Sequence, residues 1–226
     1  MRCSAASARA RGEYTEAIDL FSRLREVEPD DPTPLLGIGF SCRKLGDFQE
    51  SLNNYSRAAE LDEHCTAAWL GSAFALARLG RNLDAADAYS RALDVEQARS
   101  VSGKRGTSTT GGLHAMHNRA ICKQREGYTE SALEDFGRVV QAGPSSIVYF
   151  NRGALLERIG RFEEALQDYR KAEQMGKGDD ETSGLQDRIE IVERMLIDET
   201  RHTSPTENDL RSTLIPVLPP EQHAAA

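Results

Sequence analysis

The chain has 226 residues, of which 28% are charged and 39% hydrophobic, and its formal net charge at pH 7 is −8. This negative balance disfavours a general nucleic-acid-binding surface, because such surfaces attract phosphates with an excess of lysine and arginine. The longest apolar run, AAWLGSAFALA, is far short of the roughly 20 residues that span a bilayer, so we expect no membrane insertion.

The N-terminal residues MRCSAASARARGEY lack the apolar stretch of a secretory signal peptide. Their arginines and serines mildly resemble an organelle transit peptide, but Glu13 and Glu16 follow at once and the segment indicates a helix. The four cysteines lie far apart without a C-x-x-C pair, which favours free thiols over a zinc site or a disulfide scaffold. We therefore expect a reducing compartment and a cytoplasmic protein.

One phrase recurs five times along the chain, each time beginning with glycine. The copies are GEYTEAIDLFSRLRE, GDFQESLNNYSRAAE, GRNLDAADAYSRALD, GYTESALEDFGRVVQ and GRFEEALQDYRKAE. Their glycines are Gly12, Gly46, Gly80, Gly127 and Gly160, so the spacings are 34, 34, 47 and 33 residues. A period in this range predicts a stacked repeat protein before any other fold.

Particular residue types recur at fixed distances from each glycine. Small residues stand five positions after it, at Ala17, Ser51, Ala85, Ala132 and Ala165. Aromatic residues stand nine positions after it, at Phe21, Tyr55, Tyr89, Phe136 and Tyr169. Because a spacing of four residues places both on one helix face, we expect the aromatic ring to fill the gap between neighbouring helix pairs. We expect the glycine itself to end one helix with a positive φ angle.

This pattern resembles the tetratricopeptide repeat, a helix–turn–helix unit, over about residues 1–178. The resemblance implies an all-α fold, a right-handed superhelical solenoid of five helix pairs. Ser51 departs from the family pattern, which has alanine there. Glu63, Gln97 and Lys177 stand where the family usually has a proline after the second helix, so those turns are less rigidly specified.

The spacing of 47 rather than 34 residues leaves an insertion after the third repeat. Its composition is rich in glycine, serine and threonine, which predicts a mobile surface loop over 98–112. The loop is either a tolerated insertion or a target of a kinase at Ser100, Ser102 or Thr107.

Both ends of the repeat array depart from the pattern. Four apolar residues at helical spacing predict an amphipathic capping helix over 179–200: Leu185, Ile189, Val192 and Leu196. Residues 201–226 predict a disordered tail, whose LIPVLPP segment is an inert end, a docking peptide or a segment that folds back onto the repeats. Met1 already occupies a repeat position, so either the first repeat is frayed or the chain is the back part of a longer array.

The sequence contains no convincing catalytic constellation. Neither a phosphate-binding G-x-x-x-x-G-K-[ST] loop nor a G-x-S-x-G motif is present. His114 and His117 have the spacing of metal ligands on a helix, but no third ligand lies near them in sequence. We therefore expect no enzyme activity, no cofactor and no metal ion.

The resemblance places a binding groove on the first helices of the pairs, at positions ten and six residues before each glycine. A basic residue also recurs two positions before the glycine, although the helix dipole alone favours a cation there. The candidate groove residues are Leu36, Phe40, Lys44, Leu70, Phe74, Arg78, His117, Asn118, Ile121, Arg125, Phe150, Asn151 and Arg158. An apolar strip beside cations suits a protein or peptide segment that is amphipathic and carries acidic residues.

One subclass of the family binds the C-terminal carboxylate of heat-shock chaperones through a clamp of lysines, asparagines and an arginine. Asn118 and Asn151 match one position of that clamp. Leu70 and Phe74 stand where the repeat before Asn118 needs lysine and asparagine, so we expect no binding of chaperone tails.

The function that the sequence favours is a non-catalytic scaffold or adaptor that binds a protein segment in its groove. The alternative is a regulatory or targeting subunit, or an extension, of an enzyme complex. By analogy with the family, the complex to which the chain belongs is either cytoplasmic or part of a cilium or flagellum.

Overall fold

The computed structural model describes residues 2–101, 110–176 and 184–203. Within these residues the chain forms eleven α-helices and no β-strand. In chain order the helices are Arg2–Arg11 (α1), Tyr14–Val27 (α2), Pro32–Leu45 (α3), Phe48–Leu61 (α4), Thr66–Arg78 (α5), Asn82–Val101 (α6), Thr110–Arg125 (α7), Thr129–Ala142 (α8), Ser146–Arg158 (α9), Phe162–Met175 (α10) and Leu185–Thr203 (α11).

The first ten helices form five helix–turn–helix pairs, from α1–α2 to α9–α10. Each helix packs against the next one along the chain, and α11 packs against α10. First helices of neighbouring pairs also touch, as α1 touches α3 and α3 touches α5. A stack in which each pair contacts only its neighbours is a solenoid. The predicted all-α solenoid of five pairs is therefore confirmed.

The turn inside each pair depends on the repeated glycine. Gly12, Gly46, Gly80, Gly127 and Gly160 all have φ angles between 77° and 85°. At Gly46 the backbone N–H donates to the carbonyl of Arg43 (3.2 Å), and the N–H of Asp47 donates to the carbonyl of Cys42 (3.0 Å). These two bonds close the end of α3 in a Schellman motif, which needs a residue without a Cβ at its left-handed position. The predicted positive φ angle is confirmed in all five copies.

The small and aromatic residues of the repeated phrase form the core of the stack. The five small residues are fully buried, and the five aromatic residues are at most 5% exposed. The ring of Phe21 on α2 lies against the backbone of Gly37 on α3, and the ring of Tyr55 on α4 lies against Gly71 on α5. The aromatic side chains therefore fill the gaps between neighbouring pairs, as the sequence predicts.

Gly71 provides a test of this packing, because a Cβ atom there would lie 2.5 Å from the ring of Tyr55. We expect Gly71→Ala to lower the free energy of unfolding by about 1–3 kcal/mol, since the ring and α5 must move apart. The matched control is Gly137→Ala in α8, where nothing lies within 4 Å of the added Cβ. That change should stabilise the protein by about 0.4–1 kcal/mol. Urea unfolding followed by circular dichroism measures both, and effects of the same sign would contradict the packing.

The insertion between the third and fourth pairs is shorter than the predicted 98–112 loop. Helix α6 continues to Val101 and α7 begins at Thr110, so both ends of that range are helical. Gly112 faces α6, since a Cβ at this position would lie 2.5 Å from the carboxylate at the end of the flexible Glu96 side chain. The residues between α6 and α7 lie outside the described part of the chain, with the candidate phosphorylation sites Ser102 and Thr107.

The helix α11 covers the C-terminal end of the stack. Its residues Leu185, Ile189 and Val192 are at most 5% exposed and pack with Tyr169 and Ala172 of α10. The helix begins at Leu185, directly after Gly184, whose φ angle is 84°. The helix runs to Thr203, so the first three residues of the predicted disordered tail over 201–226 are helical. The described residues do not include 179–183 of the predicted cap, the rest of the tail with its LIPVLPP segment, or Met1.

Candidate functional site

The predicted groove residues of the second and third pairs lie beside two aromatic side chains of second helices. Phe40 of α3 and Phe74 of α5 occupy equivalent repeat positions, and both are half-buried. The ring centroid of Tyr14 lies 6.4 Å from that of Phe40, and the centroid of Phe48 lies 6.3 Å from that of Phe74. Two aromatic pairs of similar geometry thus lie one repeat apart.

The guanidinium of Arg43 lies between the two phenylalanines. Its Cζ atom is 5.0 Å from the ring centroid of Phe40 and 4.9 Å from that of Phe74. The Cζ atom of Arg9 lies 5.3 Å from the Phe40 centroid. These are cation–π distances, at which the ring faces attract and position the positive charges.

Two predicted cations complete this surface. The Nζ atom of Lys44 lies 5.7 Å from the Phe40 centroid, and the Cζ atom of Arg78 lies 4.7 Å from the Phe48 centroid. Both side chains are exposed to solvent. We call the whole set the basic aromatic strip, which consists of Arg9, Tyr14, Phe40, Arg43, Lys44, Phe48, Phe74 and Arg78.

The cations of the basic aromatic strip have no acidic partner in the part of the chain that the structure describes. Elsewhere arginines do pair with carboxylates, for example Arg81 with Asp84 at 2.7 Å and Arg161 with Glu164 at 2.7 Å. The Nε atom of Arg43 is buried and makes no hydrogen bond to any described residue. In a chain of net charge −8, the strip is a local surplus of positive charge.

Leu36 and Leu70 extend the apolar part of this region. Both predicted groove residues are half-buried and pack against core clusters of the second and third pairs. The structure therefore brings four of the six predicted residues of these two pairs together in the basic aromatic strip: Phe40, Lys44, Phe74 and Arg78. Leu36 and Leu70 lie four residues before the two phenylalanines on the same helices.

The predicted groove residues of the fourth and fifth pairs have a different environment. His117 is only 8% exposed, and its ring centroid lies 5.7 Å from that of Phe136. Its Nε2 atom lies 2.9 Å from the side-chain nitrogen of Asn151. Burial, and secondarily the charge of His114, lowers the pKa of His117, so its ring is neutral at pH 7 and accepts this hydrogen bond. The two side chains thus link the fourth and fifth pairs.

The other residues of this half are partly engaged in the same way. Phe150 packs on Tyr169 with a centroid distance of 5.8 Å, and Ile121 packs against the core of the fourth pair. Arg158 donates from Nη2 to the carbonyl of Gln124 at 3.1 Å. Asn118 is half-buried, and Arg125 is exposed.

Sequence reasoning missed half of the basic aromatic strip. Arg9 and Arg43 stand three positions before their glycines, and Tyr14 and Phe48 stand two positions after theirs. An aromatic residue stands two positions after the glycine in three of the five copies, so a search at every distance would have found Tyr14 and Phe48. An arginine stands three positions before the glycine only in the first two copies, so no recurring pattern indicates Arg9 and Arg43. Their contact with Phe40 and Phe74 depends on how neighbouring pairs stack, which the spacing does not specify.

The described residues offer little for redox, metal or membrane chemistry. They contain no group of three histidine, cysteine or acidic side chains that could hold a metal ion. Burial raises the pKa of the Cys42 thiol to about 11, so this thiol stays protonated and unreactive. None of the helices in the described ranges has the length and apolar character needed to cross a bilayer.

The fold and this surface define a helical-repeat protein of the class that serves as a protein-interaction module. The sequence profile of the tetratricopeptide repeat family matches residues 42–100 and 123–180, slightly more than half of the chain. The chain therefore belongs to the tetratricopeptide repeat family. A comparison with curated protein sequences found no significant match.

Solved structures of other repeat proteins share this fold. MamA from Desulfovibrio magneticus RS-1 superimposes with a TM-score of 0.69 at 17% identity, over 79% of this chain and 94% of that one. PilF from Pseudomonas aeruginosa gives 0.64 at 13% identity over 92% of both chains. TTC0263, a thermophilic TPR protein of Thermus thermophilus, gives 0.53 at 20% identity, over 83% of this chain and 94% of that one. At such identities the similarity shows the fold alone.

Proposed function

We propose that the chain is a non-catalytic scaffold or adaptor that binds a segment of a partner protein along the concave groove of its repeats. The observation that carries the proposal is the basic aromatic strip, whose four cations have no carboxylate partner among the described residues. Family membership supports the same class of function. The four free cysteines favour the reducing cytoplasm as its compartment.

The unpaired cations favour an acidic partner. Arg43 is already positioned by the rings of Phe40 and Phe74, so a carboxylate that binds it costs little side-chain entropy. A carboxylate also supplies charge-assisted hydrogen bonds that the guanidinium does not make with any residue that the structure describes. Arg9, Lys44 and Arg78 add attraction that speeds the encounter and depends on ionic strength.

The rings favour a partner that is also apolar. Phe40 and Phe74 are half-buried, so each leaves part of its ring accessible beside a cation. Leu36 and Leu70 add aliphatic surface on the same two helices. An amphipathic helix or extended segment with acidic residues next to its hydrophobic anchors matches both properties.

The proposed groove continues along the fourth and fifth pairs with weaker contacts. This part consists of His117, Asn118, Ile121, Arg125, Phe150, Asn151 and Arg158. Because His117, Asn151 and Phe150 already contact protein groups, we assign the larger share of the binding energy to the basic aromatic strip.

Double substitution of Phe40 and Phe74 by alanine tests this assignment. It removes both accessible anchors, so the affinity for the partner should fall by more than about tenfold. The helical content should persist, since neither side chain belongs to the fully buried core. Affinity purification from cells with quantitative mass spectrometry compares the variant with the wild-type protein.

The matched control is Tyr128→Ala, which removes an aromatic ring that is 55% exposed outside the groove. A genuine partner is recovered with the control variant but not with the groove variant. A synthetic peptide of its acidic, apolar segment should also bind the wild-type protein. Equal recovery by the groove variant would refute the assignment. If the lost partner is a stoichiometric catalytic subunit, the chain is a regulatory or targeting subunit.

A further inference from the structure

A cleft separate from the basic aromatic strip lies between the second and third pairs. It has a volume of about 630 Å³ and is bordered by α4, α5 and α6. Ser72 and Leu76 of α5 face it, whereas Phe74 and Arg78 belong to the strip. At 100° per residue, these two sets lie on opposite faces of α5.

Two of the five pairs, the fourth and the fifth, fill this position of the repeat with an internal ion pair, whereas the first and second have Ser4 with Leu20 and Ile38 with Asn54 there. Arg119 stands eight residues before its glycine and makes two bonds to Asp135, eight residues after it, at 2.6 and 2.8 Å. Arg152 and Asp168 occupy the same positions in the fifth pair and bond at 2.6 and 2.7 Å. Each guanidinium is thus held by a carboxylate on the second helix of its own pair.

The third pair has Ser72 and Ala88 at these two positions, so it has neither the guanidinium nor the carboxylate. The cleft beside Arg152 in the fifth pair has a volume of about 200 Å³, whereas the cleft of the third pair has about 630 Å³. Ser72 lines the cleft and is 4% exposed, and its buried Oγ atom has no hydrogen-bond partner among the described residues. A buried hydroxyl without a partner is unfavourable, so a donor that reaches Ser72 from the cleft gains a hydrogen bond there.

We propose that this cleft binds an arginine side chain of a partner protein, in the place that Arg119 and Arg152 occupy in the fourth and fifth pairs. In the fourth pair, the guanidinium of Arg119 also donates to Ser90 Oγ of the preceding helix at 3.0 Å. The equivalent serine, Ser56, lines the cleft together with Ser72. Both hydroxyls can accept a hydrogen bond from an arginine that enters from outside.

The remaining lining of the cleft suits an arginine as well. Ala59, Trp69, Leu76 and Ala88 form apolar walls for the aliphatic stem of the arginine. The indole of Trp69 is held by a hydrogen bond from Nε1 to the carbonyl of Glu63 at 2.9 Å. A guanidinium stacks on such a ring more favourably than an ammonium does.

The charges around the cleft also favour a cation. Four carboxylates and two guanidiniums line it: Glu60, Glu63, Asp84, Asp87, Arg81 and Arg91. Arg81 is already paired with Asp84 at 2.7 Å. Asp87 makes no ion pair with any described residue, so a carboxylate is available at the rim.

Trp69 is the one tryptophan of the chain, so its indole N–H gives a single resonance that reports on the cleft. The probe is N-acetyl-L-arginine amide, and the comparison probes are the corresponding lysine and norleucine amides. We expect saturable movement of the resonance with arginine amide, at a Kd roughly fivefold or more below that of either comparison probe. Equal Kd values, or no movement with arginine amide, would overturn the proposal.

Two variants and one control complete the experiment. Ser72→Arg with Ala88→Asp introduces the ion pair of the fourth and fifth pairs into the cleft and should abolish the titration. If that variant does not fold, the double variant Asp84→Asn/Asp87→Asn provides the test, because both side chains are exposed and the fold should tolerate the change. It should raise the Kd of arginine amide by about threefold. An unchanged Kd would contradict the proposal. Arg78→Ala, on the opposite face of α5, should leave the titration unchanged. Failure of the groove assignment therefore leaves this result unaffected.

Discussion

Replacement of Asp135 by alanine should destabilise the fourth repeat by about 3 kcal/mol. Asp135 is 2% exposed and accepts bonds from both Arg119 and Lys123, the latter at 2.8 Å. Its removal leaves two largely buried cations without their counterion, since their side chains are only 14% and 21% exposed. Partial access to water keeps the expected loss at the lower end of the range for broken buried pairs.

Urea unfolding followed by circular dichroism measures this loss, and hydrogen exchange of the α7 and α8 amides shows where it occurs. The matched control is Glu134→Ala, an exposed carboxylate on the same helix, which should change stability by less than about 0.5 kcal/mol. A loss of the same size in both variants would mean that the ion pairs of Asp135 do not stabilise the repeat.

Replacement of Val192 by aspartate should release α11 from the end of the stack. Val192 is fully buried and packs in one cluster with Ile189 and Tyr169. An unpaired carboxylate buried at this position is more unfavourable than undocking of the helix, so we expect α11 to undock. The free energy of unfolding should then fall by the docking energy of the helix, up to roughly 3 kcal/mol. The exposed face of α10 should then promote aggregation, because the stack has lost its terminal cap.

Hydrogen exchange of the α10 amides and light scattering on heating measure this release. Ile191→Asp is the matched control, because the adjacent side chain is 42% exposed and can hydrate its charge. Protection of α10 should fall in the first variant and persist in the second. Unchanged protection in Val192→Asp would show that α11 does not dock as the structure places it.

The parts of the fold that the sequence predicted are those that depend on one repeat at a time. A glycine with positive φ is required wherever one helix of a pair ends, so Gly46 and its four equivalents could be recognised from spacing alone. The same holds for the buried aromatic of each second helix, because helical periodicity fixes its face. Both features repeat five times, which makes them easy to distinguish from chance.

The parts that the sequence did not predict depend on contacts between repeats. Arg43 reads as one more basic residue near a helix C-terminus, and only the stacking of pairs places it between two rings. His117 reads as a groove residue, yet Asn151 of the next pair satisfies it in a buried position. The glycine-rich composition of the insertion hid the first turn of α7, in which Gly112 is helical.

The two faces of α5 carry opposite chemistry. The basic aromatic strip attracts carboxylates, and the cleft at Ser72 suits a guanidinium. One partner that contacted both faces would need an acidic segment and a separate arginine. Two partners could instead bind at once, which is the behaviour expected of a scaffold.

The central claim is that the basic aromatic strip selects an acidic, apolar segment. The most direct measurement is the selection of peptides from a random display library on the wild-type protein, with affinities determined at two salt concentrations. We expect the enriched peptides to combine hydrophobic anchors with acidic residues, and to bind more weakly at high salt. Their affinity for the double variant Phe40→Ala/Phe74→Ala should be more than about tenfold lower than for the wild-type protein. Their association with the double variant Lys44→Glu/Arg78→Glu should be slower. Enriched peptides without acidic residues, or with equal affinity for the wild-type protein and the phenylalanine variant, would contradict the claim.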